Sequence, residues 1–230
     1  MPNARHLEID EQSNGQRDGL RTDLSLLLRE IHASKIGHLN SLHGRGRVLF
    51  AEGEQARGVY ILRSGRAAVT ISSSEGRVVL LRMAQAGDVL GLNSTLGNCS
   101  YDTTVKALEP CRTDFISRME LIELMQQSSA GTYAILRILS QELTELTDRA
   151  KLLLLPKTVS GRLARLLLEW SKENGSRLDR ILTHEEVAQM ICTSRETVTR
   201  LLATLSKQQV ISVTSDSIWI RDRLALEKIM

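Results

Sequence analysis

Two helix-start signals flank a short interruption in the segment LTHEEVAQMICTSRETVTRLLATLSKQQVI, residues 182–211. Thr183 with Glu186 three residues later is a capping box, so a helix starts at His184. Ile191, Cys192 and Thr193 interrupt the pattern, and Ser194 is placed to cap a second helix from Arg195 to about Lys207. Val187, Met190, Val198, Leu201, Leu202 and Leu205 supply inner faces, and Ala188 is small where two crossing helices touch. Two short helices across a three-residue turn make a helix-turn-helix.

The start of the second helix carries the chemistry. Arg195, Glu196, Thr199 and Arg200 cannot all face the core, and together they form an outward face suited to a major groove. A guanidinium fork matches the O6/N7 edge of guanine, and a glutamate accepts from cytosine N4. Thr193 and Ser194 stand at the helix start, where hydroxyls and backbone N–H groups bind phosphate. Beyond the helix, Val210–Val213 and Ile218–Ile220 alternate around Thr214-Ser215-Asp216-Ser217, a hairpin that makes the motif a winged helix.

Upstream the texture differs. From about Gly44 to Phe115, short apolar runs recur between glycine-bearing breaks: VLFAEGE, GVYILRSG, RAAVTISSSEG, RVVLLRMAQAGD and VLGL. That spacing predicts a β-barrel or jelly roll, with Gly53, Gly65, Gly76 and Gly87 at turns and one more strand near Arg112–Ile116. Helices follow at Met119–Gln127, at about Thr132–Leu155 and at about Val159–Asn174. In the long one, Ile135, Ile138 or Leu139, Leu143, Leu146, Ala150 and Leu153 form a narrow stripe, a coiled-coil seam suited to a parallel dimer. Gln141, Glu142, Glu145 and Arg149 occupy polar positions beside it, and Pro156 ends the helix.

The predicted architecture is α+β in four parts. Residues 1–22 form a disordered arm, 23–129 a β-roll (a double-stranded jelly roll), 130–156 a dimerisation helix and 157–230 a winged helix-turn-helix. The net charge of +3 lies wholly after residue 156, which points to a polyanionic partner there. No uninterrupted apolar run exceeds the four residues of Leu152–Leu155, far short of the ~20 residues of a bilayer span. With no apolar signal-peptide core near the start, a cytoplasmic protein with no membrane partner is expected. Cys99, Cys111 and Cys192 contain no CxxC, which disfavours a structural metal or a four-cysteine cluster.

LTHEEVAQM–TSRETVTRLL resembles the helix-turn-helix of the bacterial cyclic AMP receptor protein and fumarate-nitrate regulator (CRP/FNR) superfamily, and VLFAEGE, GVYILRSGRAAV and AGDVLG resemble its sensor domain. The resemblance covers about residues 40–220. It implies a homodimeric transcriptional regulator, joined through residues 132–155, that reads a palindromic TGTGA-like site in double-stranded DNA. By the same resemblance Arg195, Glu196 and Arg200 carry the base contacts, and RNA polymerase is a further partner. Cys192 stands where the family often has glycine, at a cost on the order of 1 kcal/mol if its φ is positive.

The resemblance weakens at the effector. Leu92 stands where cyclic-nucleotide binders carry the ribose-binding glutamate, and an acid, Asp102, falls near their phosphate-binding arginine. Thr147 aligns with a base-contacting position, but Asp148 beside it does not match. Cyclic AMP is therefore not expected, and Leu92, Asn93, Asp102, Thr103 and Thr147 are the weak effector candidates. An iron–sulfur cluster is not expected from an N-terminal arm without cysteine, nor haem from Leu92 and Asn93 after the GD turn. Cys99 and Cys111 form a candidate thiol pair. One alternative is a constitutive DNA-binding regulator with a degenerate effector domain. Another is a cupin-like metal enzyme, which lacks histidines between Gly44 and Phe115.

Overall fold

The structure is a computed structural model and describes residues 24–31, 33, 37, 39–76, 78–174, 177–179, 182–214 and 217–230. The expected arm, 1–22, and Ser215-Asp216 of the expected hairpin turn lie outside the described residues. The chain divides into two compact units, one ending at Glu145 and the other beginning at Leu146.

The first unit opens with helix α1 (24–31) and then builds two four-stranded antiparallel sheets. One sheet has the order β1 (Leu39–His43), β8 (Cys111–Ser117), β3 (Gly58–Ser64), β6 (Val89–Leu90). The other has the order β2 (Val48–Phe50), β7 (Thr104–Ala107), β4 (Arg66–Ser72), β5 (Val78–Gln85). A short helix, α2 (Leu92–Gly97), follows β6, and α3 (Arg118–Gln127) follows β8. These are the two faces of the expected roll.

Strand β3 shows how the roll holds together. Its side chains alternate, and both faces are covered. Val59 and Ile61 pack with Ile116 of β8 and with Leu27, Ile31, Leu92, Leu121 and Leu124 of the helical layer. Leu62 and Tyr60 point the other way, into the core with Phe50, Val69, Leu90, Tyr101 and Val105. Each fully buried branched side chain of this kind contributes roughly 1.5–3 kcal/mol. Both phenylalanines of the chain and two of its three tyrosines meet here. Phe50 stacks on Tyr101 at 3.9 Å, and Tyr60 packs against Phe50 at 5.6 Å and Phe115 at 4.9 Å.

The long helix α4 (Ser129–Leu154) begins against the roll. Ala134, Ile135 and Ile138 are buried in the helical layer. The stripe read from the sequence is therefore two stripes. Ile135 and Ile138 belong to the chain's own core, whereas Leu136, Leu143 and Leu146 are more than half exposed. Leu136, Leu139, Leu143, Leu146, Ala150 and Leu153 keep the alternating three- and four-residue step of a seam. Arg149 also departs from expectation: it is buried at 8% exposure instead of lying on a polar face.

The second unit contains α5 (Val159–Asn174), α6 (His184–Met190), α7 (Arg195–Lys207) and α8 (Arg223–Ile229). A three-stranded sheet accompanies them, in the order β10 (Ile211–Val213), β11 (Ser217–Ile220), β9 (Arg177–Asp179). Leu163, Ala164, Leu166 and Leu167 of α5 are buried, as are Val187 and Ala188 of α6 and Val198 and Leu202 of α7. The hairpin β10–β11 pairs Ile211 with Ile220 and Val213 with Ile218, which completes a winged helix-turn-helix.

The four turn glycines named above all have positive φ, and Gly65 is the most crowded. A Cβ there would come 2.5 Å from the Pro110 carbonyl oxygen and 2.8 Å from Cys111 Sγ. A Cβ added at Gly76, whose φ is 79°, would meet nothing within 4 Å. Gly65→Ala is expected to cost about 2–4 kcal/mol and Gly76→Ala about 1 kcal/mol. Urea titration followed by circular dichroism checks the difference; equal costs would contradict the crowding at Gly65.

Candidate nucleic-acid interface

Local hydrogen bonds set both helices of the motif. Thr183 Oγ1 accepts from Glu186 N at 3.2 Å, and the Glu186 carboxylate accepts from Thr183 N at 2.6 Å. This is the reciprocal box that starts α6. Ser194 Oγ accepts from Thr197 N at 3.3 Å and starts α7. Between the helices Cys192 has φ 53°, in the left-handed region, and Thr193 N donates to the Ala188 carbonyl at 2.9 Å. The glycine-like position anticipated for Cys192 is thus present, with its cost of about 1 kcal/mol.

Two guanidinium groups close the C-terminal end of α6. Arg149, from the last turns of α4, donates through Nη2 to the Met190 carbonyl. Arg162, from α5, donates through Nε to the Ile191 carbonyl at 2.8 Å. Burial pulls the Arg149 guanidinium below its ordinary pKa, and Cys192 and Glu169 oppose that pull. Cations at a helix C-terminus offset the partial negative charge of its unshared carbonyls.

With Val198, Leu202 and Leu205 turned inward, α7 leaves Arg195, Glu196, Thr199 and Arg200 exposed. Ser194 is exposed and Thr193 half-buried beside them. The Glu196 carboxylate accepts from its own backbone N–H and from the Ser194 hydroxyl, and Arg195 stands near. These contacts hold its pKa below the ordinary carboxylate range, so the side chain stays an acceptor at neutral pH. Thr199 Oγ1 donates to the Arg195 carbonyl at 3.0 Å, and His184 Nδ1 lies 2.8 Å from Thr199 Oγ1. His184 was not among the sequence candidates. Its place at the first position of α6 was visible, but not its reach across to α7.

The effector candidates scatter. Leu92 is buried in the helical layer at 2% exposure. Asn93 is exposed and donates to Asp102 Oδ2 at 3.1 Å, so these two do meet. Thr103 is half-buried and Thr147 is exposed. Sequence reasoning missed a charged cluster in the same unit. Arg82 on β5 contacts Asp88 at 2.5 Å, and Glu145 at 3.6 Å and Glu142 at 3.9 Å on α4. One signal for it was available: Arg82 is the only charged residue of β5.

The thiols differ in setting. Cys111 is buried and donates to the carbonyls of Arg66 and Glu109, both at 3.2 Å; burial and Glu109 push its pKa up. Cys99 is exposed, and all three cysteines are free. Among the described residues no group of three or more His, Cys, Asp or Glu side chains is arranged to hold a metal ion. Among them, too, no helix is long and apolar enough to cross a membrane.

The cyclic nucleotide-binding domain family matches residues 43–128, and the Crp-like helix-turn-helix domain family matches residues 161–229. The chain belongs to the CRP/FNR superfamily of transcriptional regulators. A CRP-like cAMP-activated global transcriptional regulator of Mycobacterium tuberculosis is 28% identical over 184 residues, covering 77% of this chain and 82% of that protein. The anaerobic regulatory protein of Bacillus subtilis is 28% identical over 172 residues, covering 72% of each chain. Among solved structures, FixK2 from Bradyrhizobium japonicum superposes with a TM-score of 0.71 at 21% identity, covering 84% of this chain and 98% of its own. This CRP/FNR member is thus a DNA-binding regulator built on a cyclic nucleotide-binding-like roll and a helix-turn-helix.

Burial is the largest influence on Glu142 and pushes its carboxyl up to about 7; Arg82 opposes this, while Glu145, Asp102 and Asp88 add to it. The folded state therefore holds this proton more tightly than the unfolded chain, whose glutamate titrates near 4.5. The group's stabilising contribution is complete below that value and is lost as pH rises through about 7. Glu142→Gln is expected to gain stability relative to the natural protein between about pH 5 and about pH 8. Paired thermal unfolding curves check this, and a difference that stays flat with pH would contradict it.

Proposed function

We propose that two copies of this regulator pair along residues 132–155 and present their α7 helices to successive major grooves of a palindromic, TGTGA-like operator. Arg195, Glu196 and Arg200 read base edges, Thr199 joins them, and Thr193 and Ser194 hold phosphate. The observation that carries this reading is the exposed face of Arg195, Glu196, Thr199 and Arg200 on a helix capped at Ser194. Pairing draws support from Leu136, Leu143 and Leu146, exposed at seam spacing on α4.

In this reading residues 23–129 are the sensor roll, 130–156 the dimer helix and 157–230 the DNA-binding domain. The protein works in the cytoplasm with RNA polymerase as a further partner, and it has no catalytic role. The roll answers to an effector other than cyclic AMP, because Leu92, at the ribose position, is an apolar core residue. An effector would act by biasing the separation of the two recognition helices.

A second reading is favoured by the Arg82 cluster. A single guanidinium ties β5 to Glu142 and Glu145 on α4 through the chain's own side chains. On that basis the regulator binds DNA constitutively.

Arg195→Ala is expected to weaken specific operator binding by roughly 1–3 kcal/mol while thermal stability stays within about 0.5 kcal/mol. Fluorescence anisotropy at fixed salt, against a site selected from random duplexes, measures it; undiminished selectivity would remove Arg195 from the groove. Leu146→Glu is expected to dissociate the dimer, read by analytical ultracentrifugation at micromolar concentration. A variant that stays dimeric would contradict the seam.

A further inference from the structure

Thr199 is exposed on the outward face of α7, one turn beyond Arg195. Its hydroxyl has a single hydrogen. The Arg195 carbonyl 3.0 Å away can only accept, so that hydrogen goes to it. His184 Nδ1 approaches the Thr199 hydroxyl oxygen at 2.8 Å and must therefore be the donor. The hydrogen count fixes the imidazole with a proton on Nδ1.

Both contacts act on the rotamer of Thr199. In a helix threonine divides between two χ1 positions, because its hydroxyl can bond back to the preceding turn. His184, at the first position of α6, adds a tie from a different helix to the position in which the hydroxyl bonds back. With its one hydrogen given to the Arg195 carbonyl and one lone pair taken by His184, the hydroxyl has no donor left, and Thr199 offers a ligand its γ-methyl and a single acceptor lone pair.

We infer that Thr199 presents its methyl to the C5-methyl of a thymine, and that His184 is the positioning residue that holds it there. The inference rests on the reading that α7 enters the major groove, the only groove in which thymine displays that methyl. One methyl-sized apolar contact corresponds to roughly a fourfold effect on affinity.

The experiment uses the full chain and an operator enriched from a random duplex pool. Each thymine of one half-site is replaced singly by deoxyuridine, which removes the methyl and nothing else. The natural protein is expected to bind about fourfold more weakly at one such position. Thr199→Ser keeps the hydroxyl and both of its bonds, and should bind the thymine and uracil duplexes equally. His184→Ala should lose most of the discrimination. His184→Asn, whose amide N–H reaches where Nδ1 does, should retain it, whereas His184→Gln should not.

Failure to enrich any sequence overturns the groove reading itself. An enriched site with no thymine, or with thymine and uracil bound equally throughout by the natural protein, overturns the methyl contact alone. A His184→Ala protein that discriminates like the natural one overturns the positioning role. Thermal unfolding of each variant separates a positioning loss from a folding loss, and the natural protein's response to uracil depends on no variant.

Discussion

The last carbonyls of α6 have no partners within their own helix, and two arginines take them. Arg149 bonds the Met190 carbonyl and Arg162 the Ile191 carbonyl. The turn that follows, with Cys192 at positive φ, directs α7. The turn into α7 is therefore held by contacts made to the end of α6. Burying a guanidinium is costly, and the depressed pKa of Arg149 expresses that cost. The hydrogen bond to Met190 and the nearby Glu169 offset it. The arrangement has a functional sense because Arg149 belongs to the same helix that carries the exposed leucine seam.

The roll uses a similar economy. Aromatics make up only 3% of the chain, yet four of them form one contiguous stack inside the roll. Tyr101 also donates its hydroxyl to the Gly58 carbonyl at 2.6 Å, and its pKa is raised to about 12, chiefly by burial. Next to this apolar filling, Arg82 gathers Asp88, Glu142 and Glu145. Burial above all, with the neighbouring acids adding to it, leaves Glu142 holding its proton to about pH 7. The roll therefore grips α4 with a contact that depends on protonation, in a domain whose relatives include a cAMP-activated regulator.

The elements legible in advance were those whose signals are local. Thr183 with Glu186, and Ser194 with Thr197, act over three residues, so the starts of α6 and α7 could be read directly. Other elements had no such signal. Helix α2 starts at Gly91 with no side-chain cap and runs only six residues, so VLGL looked like strand throughout. Strand β1 is exposed at four of its five positions and exists because it pairs with β8 some seventy residues away. The long-helix stripe was read correctly as apolar, but periodicity could not divide Ile135 and Ile138, claimed by the roll, from Leu143 and Leu146, and it passed over the exposed Leu136.

The amino-acid sequence by itself determined the class of molecule: a roll, a long helix and a winged helix-turn-helix, with Arg195, Glu196 and Arg200 on one helix face. Caps, turns and periodicity are short-range, so they survive as pattern. Tertiary structure alone decided that Arg149 is buried against the turn, that Arg82 meets Glu142 and Glu145, and that His184 reaches Thr199. Those contacts join residues from different elements, and their energies depend on burial and on angstrom-scale distances that no spacing along the chain encodes.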